Sequence, residues 1–470
     1  MGTLRFAAAL LLAGGLGLKT GAVGAETAEP GPGPYHTSGL LRGGLVEDRP
    51  LPIYAPDPLD LWNRIHHLLF TSAVQACVSR YYESPRAAAA PPNLGAASDE
   101  GARLRAINDY YDRRFAVGCT KVIRLEGGDL PEFFFGGRSA FLLEEPRFGR
   151  VVGALEAFLA APLPRDRGVE ARVLFQQDLW NRFDALRPAG RAPQGRAARL
   201  AELLGRAIAR LAPGEDALRQ IRPNFPEVVR AYPQAGADLF AAATPWRELV
   251  PSFRGSDRTT AHAATVGHRR VFRVFLRIPE AAGGVPCLEA HLRGWPPSGP
   301  DPCPRWGHGI PHGSRAVLME SLLALSPAGE IVPVPIVLNI QIRDVRLPQP
   351  GPDGRLELEN VPVQVLHGSR RDLAAAQRPA GGLEPLPPDT PVPAGFAAFG
   401  RPPESALAPV AIVCRTCHEL DGSHLMVRAF HNLEAIHVLE PQNTVVQDRV
   451  IRAKRLSPDY QALKRFFDSR

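Results

Sequence analysis

Ala316–Leu325 (AVLMESLLAL), the turn Ser326-Pro327-Ala328-Gly329 and the run Ile331–Ile342 (IVPVPIVLNIQI) decide what kind of fold this chain adopts. Two apolar runs joined by a Pro/Gly turn read as a β-hairpin. Leu338, Ile340 and Ile342 alternate with Asn339, Gln341 and Arg343, so one face is expected inward and the other outward. Upstream, Val271–Ile278 alternates in the same way. Phe272, Val274, Leu276 and Ile278 stand against Arg273 and Arg277, the pattern of a half-buried strand. Downstream, Pro348–Gly354 turns the chain into a further apolar run, Leu356–Leu366. Strands separated by such turns predict an antiparallel β-sandwich-like or barrel-like region over 250–370.

On the N-terminal side the apolar period becomes helical. Leu61, Ile65, Leu68 and Leu69 share one face, with Trp62 beside it. A breaker-rich loop, Ser84–Asn93, follows, and Glu170–Leu186 and Gln194–Leu211 read as two further helices. Residues 58–240 are therefore expected to form a mainly helical domain. Asp60-Leu61-Trp62-Asn63-Arg64 recurs as Asp178-Leu179-Trp180-Asn181-Arg182, but the similarity stops there. Each copy is expected to place its tryptophan in a helix–helix contact rather than in a repeat unit. On the C-terminal side, 378–409 is dense in proline and reads as a linker. The last segment, 410–470, ends in a helix announced by Ser457 as N-cap, Pro458 and Asp459, with Tyr460, Leu463 and Phe467 as its apolar face. The fold class expected is α+β and multidomain: an N-terminal helical region, a central antiparallel β region and a short C-terminal helical segment.

Arg5, the apolar run Phe6–Leu18 and the small residues Val23-Gly24-Ala25 before Glu26 read as a cleaved secretory signal over 1–25. An extended, Pro/Gly-rich lead-in over 26–57 follows. The run Phe6–Leu18 is too short to span a bilayer, no later run reaches the length of a membrane helix, and no cysteine stands at the cut to carry lipid, so no stable membrane anchor is expected. The expected location is periplasmic or secreted. Six cysteines suit an oxidising compartment. Setting Cys414 and Cys417 aside, the simplest pairing joins Cys77 to Cys119 and Cys287 to Cys303, one of three connectivities four cysteines allow. A metal reading of Cys287, His291, Cys303 and His308 has irregular spacing and stands second to the disulfide. The formal net charge is +7, only four residues are lysine, and the arginines are scattered among acids. No basic stripe interleaved with aromatics tracks a phosphate backbone, so nucleic acid is not an expected partner.

Cys414-Arg415-Thr416-Cys417-His418 carries the chemistry. With 6 cysteines and 13 histidines in 470 residues, such a pentapeptide arises by chance in roughly two of a thousand such chains. It resembles the haem attachment site of c-type cytochromes, over these five residues and their near surroundings. The resemblance implies one covalent haem c, held by thioethers to Cys414 and Cys417 with His418 on the iron from the proximal side. It also implies a helical haem c-like segment over 410–470, with Arg428–Glu440 as a second helix on which Phe430, Leu433 and His437 share a face. His437 is the first distal candidate and His431 the second; His424 and Met426 follow His418 too closely to cross to the opposite face of the same ring. An open sixth position stays a further option. The chain departs from the family in having only fifty-two residues after His418 and no methionine beyond Met426. A pocket would then need walls from the rest of the chain.

The function expected is electron transfer in the periplasm, with an extracytoplasmic redox protein as partner. Whether the chain catalyses a reaction of its own stays open. A cofactor-free secreted binding or scaffold protein stabilised by disulfides, and a haem peroxidase-like enzyme, are the alternatives. For the cysteine pair itself a redox disulfide, a zinc site and a plain structural pair stay open. Two weaker clusters are the loop Gly307–Gly313, with His308 and His312, and His262 with His268, Ser256 and Asp257. No G-x-S-x-G elbow accompanies the second.

Overall fold

The computed structural model describes residues 50–83, 115–126, 140–187, 192–241, 244–250, 270–292, 303, 311, 313–344, 363–375, 378–386, 391–393, 406–409, 434–437 and 444–468. Four helices carry the first half: α1 (Leu61–Phe70), α2 (Arg147–Ala160), α3 (Val169–Ala185) and α4 (Gly195–Leu211). Helix α1 starts where the Asp60 carboxylate accepts the Trp62 amide at 2.9 Å. Its face of Ile65, Leu68 and Leu69 is buried as expected, and Trp62 stacks on Phe175 of α3 with centroids 4.7 Å apart. The second tryptophan of the duplicated pentapeptide, Trp180, is buried as well.

Helix α3 is the centre of the helical layer. Ala171 and every residue from 173 to 184 are buried, polar ones included. A helix covered on all sides must satisfy its polar groups inside the protein. Gln176 shows how: its amide donates to Ile208 O of α4 at 3.2 Å and to Leu325 O at 3.1 Å, and it accepts the Leu325 amide at 2.8 Å.

The stretch 58–240 is not helical throughout. Strands β1 (Ser72–Glu83) and β2 (Phe115–Glu126) pair antiparallel along twelve residues. The main sheet is built from β3 (Arg247–Val250), β4 (Arg270–Arg277), β5 (Arg315–Leu325), β6 (Ile331–Asp344), β7 (Val363–Gly368) and β8 (Leu383–Pro385). Strands β9 (Pro391–Pro393) and β10 (Ala406–Pro409) join β1 and β2 in a four-stranded sheet of order β2-β1-β10-β9. Strand β11 (Glu434–His437) completes the main sheet, whose order is β11-β3-β4-β5-β6-β7-β8 with every pair antiparallel.

The β5–β6 hairpin forms as the sequence predicts. Its turn closes with the Gly329 amide on Ser326 O at 2.8 Å, and Gly329 has φ of 73°, which glycine adopts without strain. Among the described residues the main sheet is covered by helices, where a sandwich-like or barrel-like region was expected. One sheet is packed against helices: α3 meets β5, and α8 (Thr444–Arg455) meets β4 and β6. Nor is β4 half-buried; all of it except Arg277 is enclosed. Val271 and Phe275 join the main core, whereas Phe272, Val274 and Leu276 form a smaller cluster capped by Leu288 of α6 (Gly284–Leu292). Arg273, which reads as solvent-facing, is 1 % exposed and donates twice to the Glu248 carboxylate, at 2.7 and 2.8 Å. Asn339, Gln341 and Arg343, expected to face out, are likewise buried. Helical cover on the sheet supplies what a second sheet would have supplied.

Residues 378–386 form no linker. Leu383 and Leu386 are buried, and Pro385 lies on an edge strand, where a missing N–H costs no ladder bond. Asn224, preceding α5 (Phe225–Ala231), clamps this segment to β6. Its amide donates to Val337 O at 2.9 Å and Gly381 O at 2.8 Å, and it accepts the Val337 amide at 2.7 Å. Gly381 has φ of 70°, and a Cβ there would fall 2.5 Å from Val228.

The C-terminal helices are part of the same body. Helix α9 (Pro458–Asp468) begins as expected, Ser457 Oγ accepting the Tyr460 amide at 3.3 Å. Its face of Tyr460, Leu463 and Phe467 packs into the main core, which runs continuously from Ile53 through the helical layer and the sheet. That face is therefore taken up by α4 and the β5–β6 turn. The Tyr460 hydroxyl donates to Gly329 O at 2.8 Å, and Lys454 Nζ reaches Asp184 Oδ2 at 2.9 Å.

Candidate functional site

Cys414, Cys417, His418, His424, Met426 and His431 lie outside the described residues, as do the signal segment, His262, His268, Ser256, Asp257, His308 and His312. What is described is the chain on either side of the pentapeptide. Before it, β10 runs parallel to β1, with Cys77 opposite Ala406 and Val78 opposite Leu407, and antiparallel to β9. After it, β11 pairs with β3 and ends with His437 opposite Arg247. The helix expected over Arg428–Glu440 is corrected here: residues 434–437 are extended. A strand alternates its side chains with period two, so the helical face joining Phe430, Leu433 and His437 does not exist there. His437 instead occupies a register position at the sheet's edge. Its opposite number, Arg247, donates to Glu289 of α6 at 2.8 Å.

A second constellation is fully described, and the sequence reading did not find it. It joins Tyr54, His66 of α1, Gln177 and Asp178 of α3, and Arg370 at the start of α7 (Arg370–Ala374). The Tyr54 hydroxyl donates to Asp178 Oδ2 at 2.5 Å, and His66 Nε2 lies 3.2 Å from the same oxygen. Arg370 Nε donates to Asp178 Oδ1 at 2.9 Å and its Nη2 to Gln177 Oε1 at 3.1 Å. All five side chains are buried. Burial pushes the Asp178 carboxyl up to about 8, against the pull of the Tyr54 hydroxyl and of Arg182 and Arg270. Nearby, burial and then Arg270 push His367 down to about 3, so it is a neutral imidazole. Arg270 is itself ion-paired to Glu320. Chemically the cluster can store a proton near neutral pH and can lock four segments together. It is sealed from solvent and does not form an open site. Its sequence signal was a string of polar residues, 176–178 and 181–182, interleaved with Val173, Leu174, Phe175, Leu179, Trp180 and Phe183.

Of the expected cysteine pairs, Cys287 and Cys303 are joined, with S–S 2.07 Å and Cα atoms 5.3 Å apart. Both sulfurs are thus spent, which removes the metal reading with His291 and His308. Cys77 and Cys119 lie on neighbouring strands in a staggered register: Cys77 is opposite Lys121, and Cys119 is opposite Ser79. Among the described residues no group of three or more His, Cys, Asp or Glu is placed to hold a metal ion, and no helix is long and apolar enough to cross a membrane. The thiol–thiol–imidazole donor set of residues 414–418 fits a haem c by its chemistry. No family model matches the chain, and neither the curated proteins nor the solved structures contain one similar to it.

Proposed function

We propose that the chain is an exported protein carrying one haem c, and that it passes single electrons to an extracytoplasmic redox protein. Cys414 and Cys417 anchor the porphyrin and His418 holds the iron from the proximal side. The observation that carries this reading is the C-x-x-C-H pentapeptide. A haem c supplies one-electron chemistry, tuned by its axial ligands and its burial. The chain supplies attachment, an imidazole and a large folded body for a partner to meet.

Two features lend support. The stretch 410–433 that contains the pentapeptide is flanked by strand residues, Pro409 of β10 and Glu434 of β11. The Cys287–Cys303 disulfide suits an oxidising, periplasmic or secreted location. His437 is kept as the first candidate for the distal ligand and His431 as the second.

The test is expression in a host with a c-type maturation apparatus. A Soret band that survives denaturation and acid–acetone extraction is expected, and it should vanish in Cys414→Ser/Cys417→Ser. Loss of the low-spin spectrum in His437→Ala, with the haem still attached, identifies the distal ligand. Mass spectrometry of matured chain showing those two sulfurs free or joined to each other refutes the reading. A colourless product favours the cofactor-free scaffold, to which the disulfide and the extensive core are equally suited. A spectrum that shifts with cyanide favours an open iron and peroxidase-like chemistry.

A further inference from the structure

The cleft between α1 and α2 is a cavity that electron transfer leaves unused. It encloses about 810 Å³, within the range of small-molecule sites. Helix α1 brings Arg64, His67 and Leu68 to it, and α2 brings Arg150 and Gly153. Leu59 stands at its lip, 68 % exposed, one of only two large apolar side chains so exposed among the described residues. An apolar surface left open beside a cavity is what a bound ligand covers. The rim is cationic. Arg64 and Arg150 are both exposed, and Arg64 has no carboxylate partner among the described residues. Asp57, the one carboxylate in the lining among the described residues, accepts the Leu59 amide at 2.9 Å and so shapes the lip.

We propose that this cleft binds an amphipathic organic anion, with a carboxylate head on Arg64, on the rim that Arg150 shares, and an apolar body along Leu59 and Leu68. The guanidiniums select the charge. The proposal is independent of the haem, so either can fail without the other.

Titration of the full chain with octanoate, followed by calorimetry, tests it, with 1-octanol as the uncharged comparator. Octanoate should bind saturably at one site, and octanol roughly tenfold more weakly. Arg64→Gln/Arg150→Gln should remove that preference. Gly153→Leu should weaken both, because its side chain intrudes on the cleft. A Cβ at Gly153 meets no atom within 4 Å, so the substitution starts in open space. Non-saturable octanoate binding, equal binding of octanol, or binding unchanged in Gly153→Leu overturns the proposal.

Discussion

Replacing Asn63 by alanine isolates what the first copy of the duplicated pentapeptide contributes. The Asn63 side chain is fully buried and uses all four of its hydrogen-bonding positions. Oδ1 accepts the amides of Ile53 at 3.0 Å and Tyr54 at 2.7 Å; Nδ2 donates to Ala55 O at 2.9 Å and Asp57 O at 2.7 Å. This one side chain therefore folds the segment 53–57 against α1 and delivers Tyr54 to Asp178. At about 1 kcal/mol net for each bond, Asn63→Ala should cost about 4 kcal/mol. That is a large part of the roughly 5–15 kcal/mol that stabilises a typical domain. The corresponding residue of the second copy, Asn181, is also buried, but its amide makes no hydrogen bond to a described residue. Asn181→Ala should cost no more than about 1 kcal/mol. Guanidinium unfolding at pH 6, followed by far-UV dichroism with the denaturant dependence held constant, measures both. Equal losses in the two variants, or under about 1 kcal/mol for Asn63→Ala, refute the argument.

The buried acid and base set a pH dependence. Asp178, raised from 3.8 to about 8, keeps in the folded state a proton that the unfolded chain releases, so its contribution is full below pH 4 and lost as pH rises to 8. His367, lowered from 6.5 to about 3, acts oppositely, and its contribution is lost as pH falls from 6.5 to 3. The two slopes cancel between about pH 4 and 6.5 and leave an alkaline decline of about 2 kcal/mol from pH 6.5 to 8. Asp178→Asn should flatten that decline in a urea series across pH; a variant with the wild-type slope contradicts the assignment. The Cys287–Cys303 bridge closes a loop of 16 residues, so Cys287→Ser/Cys303→Ser should lower stability by about 3 kcal/mol. Unchanged unfolding midpoints would show that α6 holds without its staple.

What was legible in the sequence was local. The β5–β6 hairpin was announced by Ser326-Pro327-Ala328-Gly329, and α9 by Ser457-Pro458-Asp459, because turn and cap chemistry is decided by neighbours in the chain. What escaped was decided at a distance. Arg273 reads as a solvent-facing residue until Glu248, from another strand, neutralises it inside the core. The prolines around 385 read as a linker until Asn224 fastens that segment to β6. Strands β1 and β2 were lost inside a stretch whose flanking helices dominate the periodic signal. The Asp178 cluster draws on residues as far apart as Tyr54 and Arg370, and no window of sequence contains it. For the proposed haem site the reverse holds: five consecutive residues carry the reading, and the described fold adds only the strands on either side.

The ion pair between Lys454 and Asp184 spans 270 positions of sequence. A polypeptide whose interior is finished by so late a contribution cannot mature piecemeal from its leading end as it emerges. Until the stretch from 444 onward arrives, α4 presents a bare apolar flank where Phe466 will sit against Gly205, and the growing chain needs shielding from association with its neighbours. The same wiring means that the pentapeptide region cannot be cut away as a portable cassette, since the two helices that follow it hold the rest of the molecule shut.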